Sequence, residues 1–406
     1  METFAFIAHP HEVRVRGVVL EPPALKRLHA RAVEGLMRFV PPFPASRITG
    51  VRSRAGGETE GWIVSCPLTL RQMDTYSGEF LRRKVMQGLN AARRVGAKVV
   101  GVGMVDAIFA RRRIQVDYGS GVRVTTGRGL AIGSGLKGLV IAAHEAAEVD
   151  PVDARIVVLG AATATGIACS RLLAKGVRYL ALVDFQVESA ERLRAIAARL
   201  LHETGLAARV ALPGDPGFRD VIERADILIV ASDIASEQLA GVMRELRIRR
   251  GALIFRIFPG RDVSRAAADA AASPLNGGGA INDGGARCGY GGVHVMDDAV
   301  LQIPGDFRMD PPIELPIETG SPYVVEPMIL ALEGVEEADN LPPQGDIAFA
   351  RWVEEVTGLA EKHGFVVTGA KVNGQTISRG VRGGMIRGTM MRGGMQDGHA
   401  KCGYAK

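Results

Sequence analysis

Hydrophobic and polar positions organise most sharply between residues 155 and 258. Arg155-Ile156-Val157-Val158-Leu159 is an apolar run of strand length, and 165–175 reads as a helix stopped by Gly176. Tyr179–Val183 reads as a second strand, 187–203 as an amphipathic helix, Ala208–Leu212 as a third strand and 218–224 as a short helix. The strand Asp226–Val230, a helix near 236–247 and the strand Ala252–Phe255 complete the alternation. Strands alternating with helices of this length imply a parallel sheet with right-handed crossovers, since each parallel return must recross the sheet.

The flanks are less regular. From Gly78 to Val95 the positions Phe80, Leu81, Val85, Leu89 and Ala92 recur at helical spacing, Gly96 ends the helix, and 98–102 reads as a buried strand. A loop carrying Thr125-Thr126-Gly127-Arg128-Gly129 precedes a predicted helix over 134–148 and the linker Val149-Asp150-Pro151. Residues 1–75 offer an apolar start running into His9-Pro10-His11, a helix over 23–39, a proline cluster at 41–44 and a strand over 62–66. A later helix, 351–363, closes at Gly364.

With 406 residues the chain has room for two or three domains. No apolar run reaches the roughly 18 residues of a membrane span, and the first residues have no basic region leading into a long apolar core, so a cytoplasmic location is expected. The net charge of +6 sits in residues 371–406, where seven basic side chains face Asp397 alone. The folded part is then neutral and presents no basic face for nucleic acid. Four cysteines without a CxxC pair argue for reduced thiols, and no cluster has metal-ligand spacing.

Between the first strand and its helix lies Gly160-Ala161-Ala162-Thr163-Ala164-Thr165-Gly166, a turn of small residues. Backbone amides can approach a pyrophosphate there: Gly160 permits the turn, Gly166 lets helix and strand pack closely, and the helix N-terminus favours negative charge. The middle glycine of the usual GxGxxG is absent. Asp184, 24 residues beyond Gly160, is placed to accept both ribose hydroxyls and repel a 2'-phosphate, favouring NAD over NADP. The bland alternative is a simple strand-to-helix turn with Asp184 capping the next helix. Ala231 and Ser232 follow the fourth strand, where Ser232 either lines the switch-point crevice or caps a helix.

The sequence resembles cyanobacterial-type long-chain acyl-carrier-protein reductases in Phe4-Ala5-Phe6-Ile7-Ala8-His9, Arg82-Arg83-Lys84-Val85, Ala107-Ile108-Phe109, Thr125-Thr126-Gly127, the Gly160 turn, Leu330-Ala331-Leu332-Glu333-Gly334 and Lys362-His363-Gly364-Phe365. The resemblance spans roughly residues 1–368. It implies an N-terminal substrate domain, a central Rossmann domain, and hydride reduction of an acyl thioester to an aldehyde. That family passes the acyl group through an enzyme cysteine, and matching residues 295–306 to that region puts Pro304 in its place. The family generally uses NADPH, which Asp184 disfavours.

Cys288 is the best substitute thiol, in a glycine-rich loop beside Arg287, or else an incidental cysteine; Cys66 and Cys169 read as buried and inert. Lys84 is either the general acid of hydride transfer or part of a solvated helix face. His9 and His11 either line a substrate entrance or serve at a strand end. Residues 278–290 recur as 393–404, sharing Ala-basic-Cys-Gly-Tyr. The shared element is a docking peptide, a thiol pair, a closing segment, or duplicated low-complexity sequence.

The expected architecture is an α/β enzyme with a doubly wound parallel Rossmann sheet: a substrate domain over 1–150, the dinucleotide domain over 151–310, a helical segment over 311–368 packing back on the first domain, and a flexible basic tail over 369–406. Three functions fit: an NAD(P)-dependent reductase of an acyl thioester or related carbonyl, a dehydrogenase of a small hydroxy or amino acid, or a non-catalytic cofactor-binding protein that recruits a partner through the repeated element. A carrier or partner protein and a homo-oligomer, in the simplest case a dimer, are the expected associations, with no membrane span.

Overall fold

The computed structural model describes residues 2–9, 35–103, 105, 108–109, 112–119, 121–231, 246, 248–257, 292–313, 320–334, 343 and 345–378. Ser232, Cys288, His11, the repeated element, most of the helix expected over 23–39 and the helix expected near 236–247 lie outside the described residues.

The first sheet contains β1 (Thr3–Ala8), β2 (Phe43–Arg52), β3 (Glu58–Ser65), β4 (Val99–Gly101), β5 (Arg123–Thr125) and β12 (Gly305–Asp310), in the order β12-β2-β3-β1-β4-β5. β3, β1, β4 and β5 run parallel, while β2 and β12 are antiparallel additions. Alternation along β1 serves both faces. Phe4 and Phe6 pack with α7 (Pro322–Glu333), whereas Ala5 and Ile7 pack with α2 (Gly78–Arg94), which follows the one-and-a-half-turn α1 (Leu70–Thr75).

The second sheet contains β6 (Arg155–Leu159), β7 (Tyr179–Val183), β8 (Arg209–Ala211), β9 (Ile227–Val230), β10 (Leu253–Arg256), β11 (His294–Gln302), β13 (Val366–Val372) and β14 (Gln375–Ser378). Six neighbours, β8-β7-β6-β9-β10-β11, are all parallel. Their rank order of 3-2-1-4-5-6 is that of the Rossmann fold, with a switch point between β6 and β9. The connecting helices α4 (Ala164–Leu173), α5 (Ala190–Thr204) and α6 (Phe218–Glu223) follow the predicted alternation closely.

Two helices belong to both cores. In α3 (Arg128–Glu145), Leu130 and Ala131 pack in the first core and Ile132, Leu136 and Leu139 in the second. In α8 (Asp346–His363), Trp352 and Val356 face the first core and Phe349 and Val353 the second. Close approach explains the glycines of α3. A Cβ at Gly133 would stand 1.8 Å from Thr357 Oγ1, and one at Gly135 would stand 2.4 Å from the Phe255 ring. The helix therefore starts at Arg128, six residues before the expected Ser134, because those glycines accommodate neighbours and do not break it.

Strand pairing crosses the expected domain boundaries at two places. Residues 305–310 pair with β2 in the first sheet, not with the dinucleotide domain. Residues 366–372 pair with β11 in the second sheet, and 375–378 extend it, so neither the helical segment nor the flexible tail holds them. β2 itself, expected only as a proline cluster, is a full strand between β12 and β3.

Candidate functional site

The turn after β6 is built by its own residues. Gly160 takes the left-handed conformation at φ 76°, and the amides of Gly160 and Ala161 donate to Val183 O at 2.9 and 3.0 Å, tying the turn to the end of β7. Thr163 caps α4: its hydroxyl accepts from Gly166 N–H (3.1 Å), and its one proton is shared between Gly160 O (2.8 Å) and Ala231 O (3.0 Å). One threonine thus joins the turn, the helix start and the end of β9 across the switch point. A Cβ at Gly166 would lie 2.3 Å from Gly160 O, so only glycine permits this approach. The first-turn amides of Ala164 and Thr165 have no intrahelical partner and point out of the helix end, where an anion is favoured.

Asp184 directly follows β7. Its carboxylate accepts from Ala162 N–H (3.4 Å) and Gln186 N–H (3.1 Å), which holds the acid against the turn. Each oxygen keeps a further acceptor site, and the residue retains 8% of its surface. These residues fit a dinucleotide: a close backbone approach, first-turn amides of Ala164 and Thr165 left over beyond the Thr163 cap, and one oriented carboxylate.

The parallel strands of the first sheet also end in candidate residues. Cys66 follows β3, His9 follows β1, and Thr125 ends β5 with Thr126-Gly127 after it. The two sheets meet at Tyr323, whose hydroxyl donates to Ile257 O just beyond β10 (3.1 Å). Gly127, left-handed at φ 76°, packs so closely on Tyr323 that a Cβ would stand 2.7 Å from its Cα.

Lys84 is buried at 5% exposure, which excludes the solvated helix face. Its ammonium donates to Val40 O at 2.7 Å, and burial lowers its pKa while the neighbouring Cys66 acts in the opposite sense. Burial pushes the Cys66 thiol up to about 12 against the pull of Lys84, and burial raises Cys169 likewise. Both thiols are therefore held neutral. His9 is enclosed with neither ring nitrogen in good hydrogen-bond geometry among the described residues, and burial lowers its pKa to about 3 while the backbone of Leu68 and Cys66 acts in the opposite sense. No hydrogen bond or ion pair among the described residues joins Lys84 to the dinucleotide turn.

Pro304 stands elsewhere. Its carbonyl accepts from Arg52 N–H (3.0 Å), and Arg52 pairs with Glu58 at the amino end of β3, opposite the end that carries Cys66. Pro304, which the resemblance puts in the place of the family's cysteine, therefore lies at the other end of β3 from Cys66.

Glu326 was not singled out by sequence reasoning. It is fully buried, with Thr125 Oγ1 donating to one carboxylate oxygen and Leu130 N–H to the other at 2.7 Å. Burial raises its pKa, opposed by those hydrogen bonds. The available signal was a lone acid within the apolar run 322–332. No group of His, Cys, Asp and Glu among the described residues has the arrangement of a metal site, and none of the described helices is long and apolar enough to cross a membrane.

No family model matches the chain. The chain is similar to the aminotransferase PigE of a Serratia species, 26% identical over 382 residues that make up 93% of this chain and 41% of that protein. It thus spans about two fifths of that relative's length, and the activity in the name is that of the longer protein. Similar solved structures include shikimate 5-dehydrogenase from Listeria monocytogenes in complex with shikimate and NAD, at 13% identity over 66% of this chain and 83% of that one, TM-score 0.29. L-Tryptophan dehydrogenase from Nostoc punctiforme is 14% identical over 88% of each chain, TM-score 0.27. Shikimate dehydrogenase from Mycobacterium tuberculosis is 13% identical over 56% of this chain and 62% of that one, TM-score 0.28. Overlap of this size carries no conclusion about chemistry; the Rossmann assignment rests on this chain's own strand order.

Proposed function

We propose that this chain is a nicotinamide-dinucleotide-dependent oxidoreductase that reduces a carbonyl compound, with an acyl thioester as the first substrate class. The observation that carries the reading is Thr163, which caps α4 and reaches Gly160 O and Ala231 O, so that the first-turn amides face the switch point. Ala164 and Thr165 would bind the diphosphate, and Asp184 would accept the adenosine ribose hydroxyls, favouring NAD over NADP. A bound nicotinamide supplies the hydride. Lys84 holds the proton that the carbonyl oxygen requires, and its lowered pKa suits an ammonium that must release one. With a thioester, the C–S bond breaks after hydride addition and the thiol departs, leaving the aldehyde.

A second reading is a dehydrogenase of a small hydroxy or amino acid. The state of the two described thiols favours it: Cys66 and Cys169 are buried and held neutral, and neither is suited to form an acyl-enzyme. Such a reaction needs no enzyme thiol.

Calorimetric titration with NADH and NADPH tests the common part. Binding of NADH, weakened at least tenfold by Asp184→Ala with a gain in relative affinity for NADPH, is the expected result; binding of neither nucleotide would overturn the assignment. Oxidation of NADH by acyl thioesters supports the first reading, and turnover with hydroxy or amino acids alone supports the second.

A further inference from the structure

The outer face of α3 lines a cavity of about 420 Å³ that shares no residue with the dinucleotide turn, Asp184, Lys84 or Cys66. Its volume falls within the roughly 300–1,000 Å³ usual for small-molecule sites. Leu130, Ile141, Leu301, Ala360 and Phe365 contribute apolar surface to it. Two hydroxyls also reach it, but each is committed to its own helix: Ser134 Oγ donates to Leu130 O (2.5 Å) and Thr357 Oγ1 to Val353 O (2.6 Å). The interior therefore offers no proton to a ligand and accepts an apolar body.

The rim differs in kind. Arg54, Lys137, His144, Glu145 and Glu361 stand there. Glu361 is taken by Lys137, and Glu145 is engaged as well. Arg54 is exposed, has no acidic partner among the described residues, and runs its stem over Gly364. Among the described residues, the charge left without an acidic partner at the mouth is thus a guanidinium, which suits a carboxylate.

We propose that this cavity is a second binding site, separate from the hydride-transfer crevice, for an amphipathic monoanion whose aliphatic tail fills the interior and whose carboxylate meets Arg54. The site stands independently of the proposed oxidoreductase activity.

Titration of the full chain with sodium laurate below its micelle concentration, and with dodecanol as the neutral counterpart, tests it. One saturable laurate site per chain is expected. Ile141→Trp, which fills the interior from a half-buried position, should weaken both probes at least tenfold. Arg54→Gln, at an exposed position that leaves folding intact, should weaken laurate severalfold and leave dodecanol unchanged. NADH affinity should be the same in both variants. Absent or non-saturating laurate binding, or laurate binding unaffected by both substitutions, would overturn the proposal.

Discussion

The Glu326 carboxylate accepts the backbone N–H of Leu130 at 2.7 Å, so an acid from α7 closes the first turn of α3. Gly127 precedes that turn without a side chain to cap it, and Glu326 takes over the cap's task from another element. Because α3 packs in both cores, this single contact sets how the helix leaves the crevice.

Replacing Glu326 by Ala strands the Leu130 amide and the Thr125 hydroxyl, and a loss of about 1–3 kcal/mol or more is expected from the unpaired amide alone. Glu326→Gln keeps one acceptor and should cost less. The raised pKa of this acid means that its contribution to stability is greatest below the ordinary carboxylate range and declines as pH rises through the folded-state value. Urea unfolding at a series of pH values should show that decline in the parent and not in Glu326→Gln.

Gly166→Val places a branched side chain where even a Cβ meets Gly160 O at 2.3 Å and Ala161 Cα at 2.6 Å. Helix α4 must move off the turn, costing about 1–3 kcal/mol as overpacking usually does. Thr163→Ala, which removes the cap and the hydroxyl's contacts to Gly160 O and Ala231 O, should cost about 1–2 kcal/mol. Calorimetry should find NADH binding abolished in the first and weakened in the second.

Lys84→Met replaces a buried ammonium by an apolar chain of similar length. Val40 is partly exposed, so water can replace the lost donor to its carbonyl, and the melting temperature should change little. Turnover should fall about a hundredfold if the ammonium supplies the proton. Equal turnover in the two proteins would remove Lys84 from the mechanism.

His9 is held neutral with a pKa of about 3, against an ordinary value of 6.5. Its unfolded form takes up a proton first as the solution is acidified. The stability it contributes is therefore complete above 6.5 and is lost as pH falls from there towards 3. His9→Leu should flatten that part of the stability profile, measured by thermal unfolding across the acid range.

The segment from Arg155 to Val230 was legible because its information is local. Apolar runs of strand length, amphipathic helices and the small-residue turn each act within about thirty residues, and the parallel order follows from the connections. Lys84 and Asp184 were legible as residue types, but their surroundings were not: burial of Lys84 against Val40 and of Cys66 beside it depends on packing α2 over the first sheet.

By itself, then, the sequence determined the alternation, the Rossmann class and the position of the candidate dinucleotide turn, since neighbouring residues suffice for these. Tertiary structure alone decided that Arg308 lies opposite Thr49, that Val366–Val372 completes the second sheet, and that the glycines of α3 serve close contact. It also decided that a lone acid in α7 meets the start of α3, because partners distant in the chain leave no periodic trace and become neighbours only when both cores are packed.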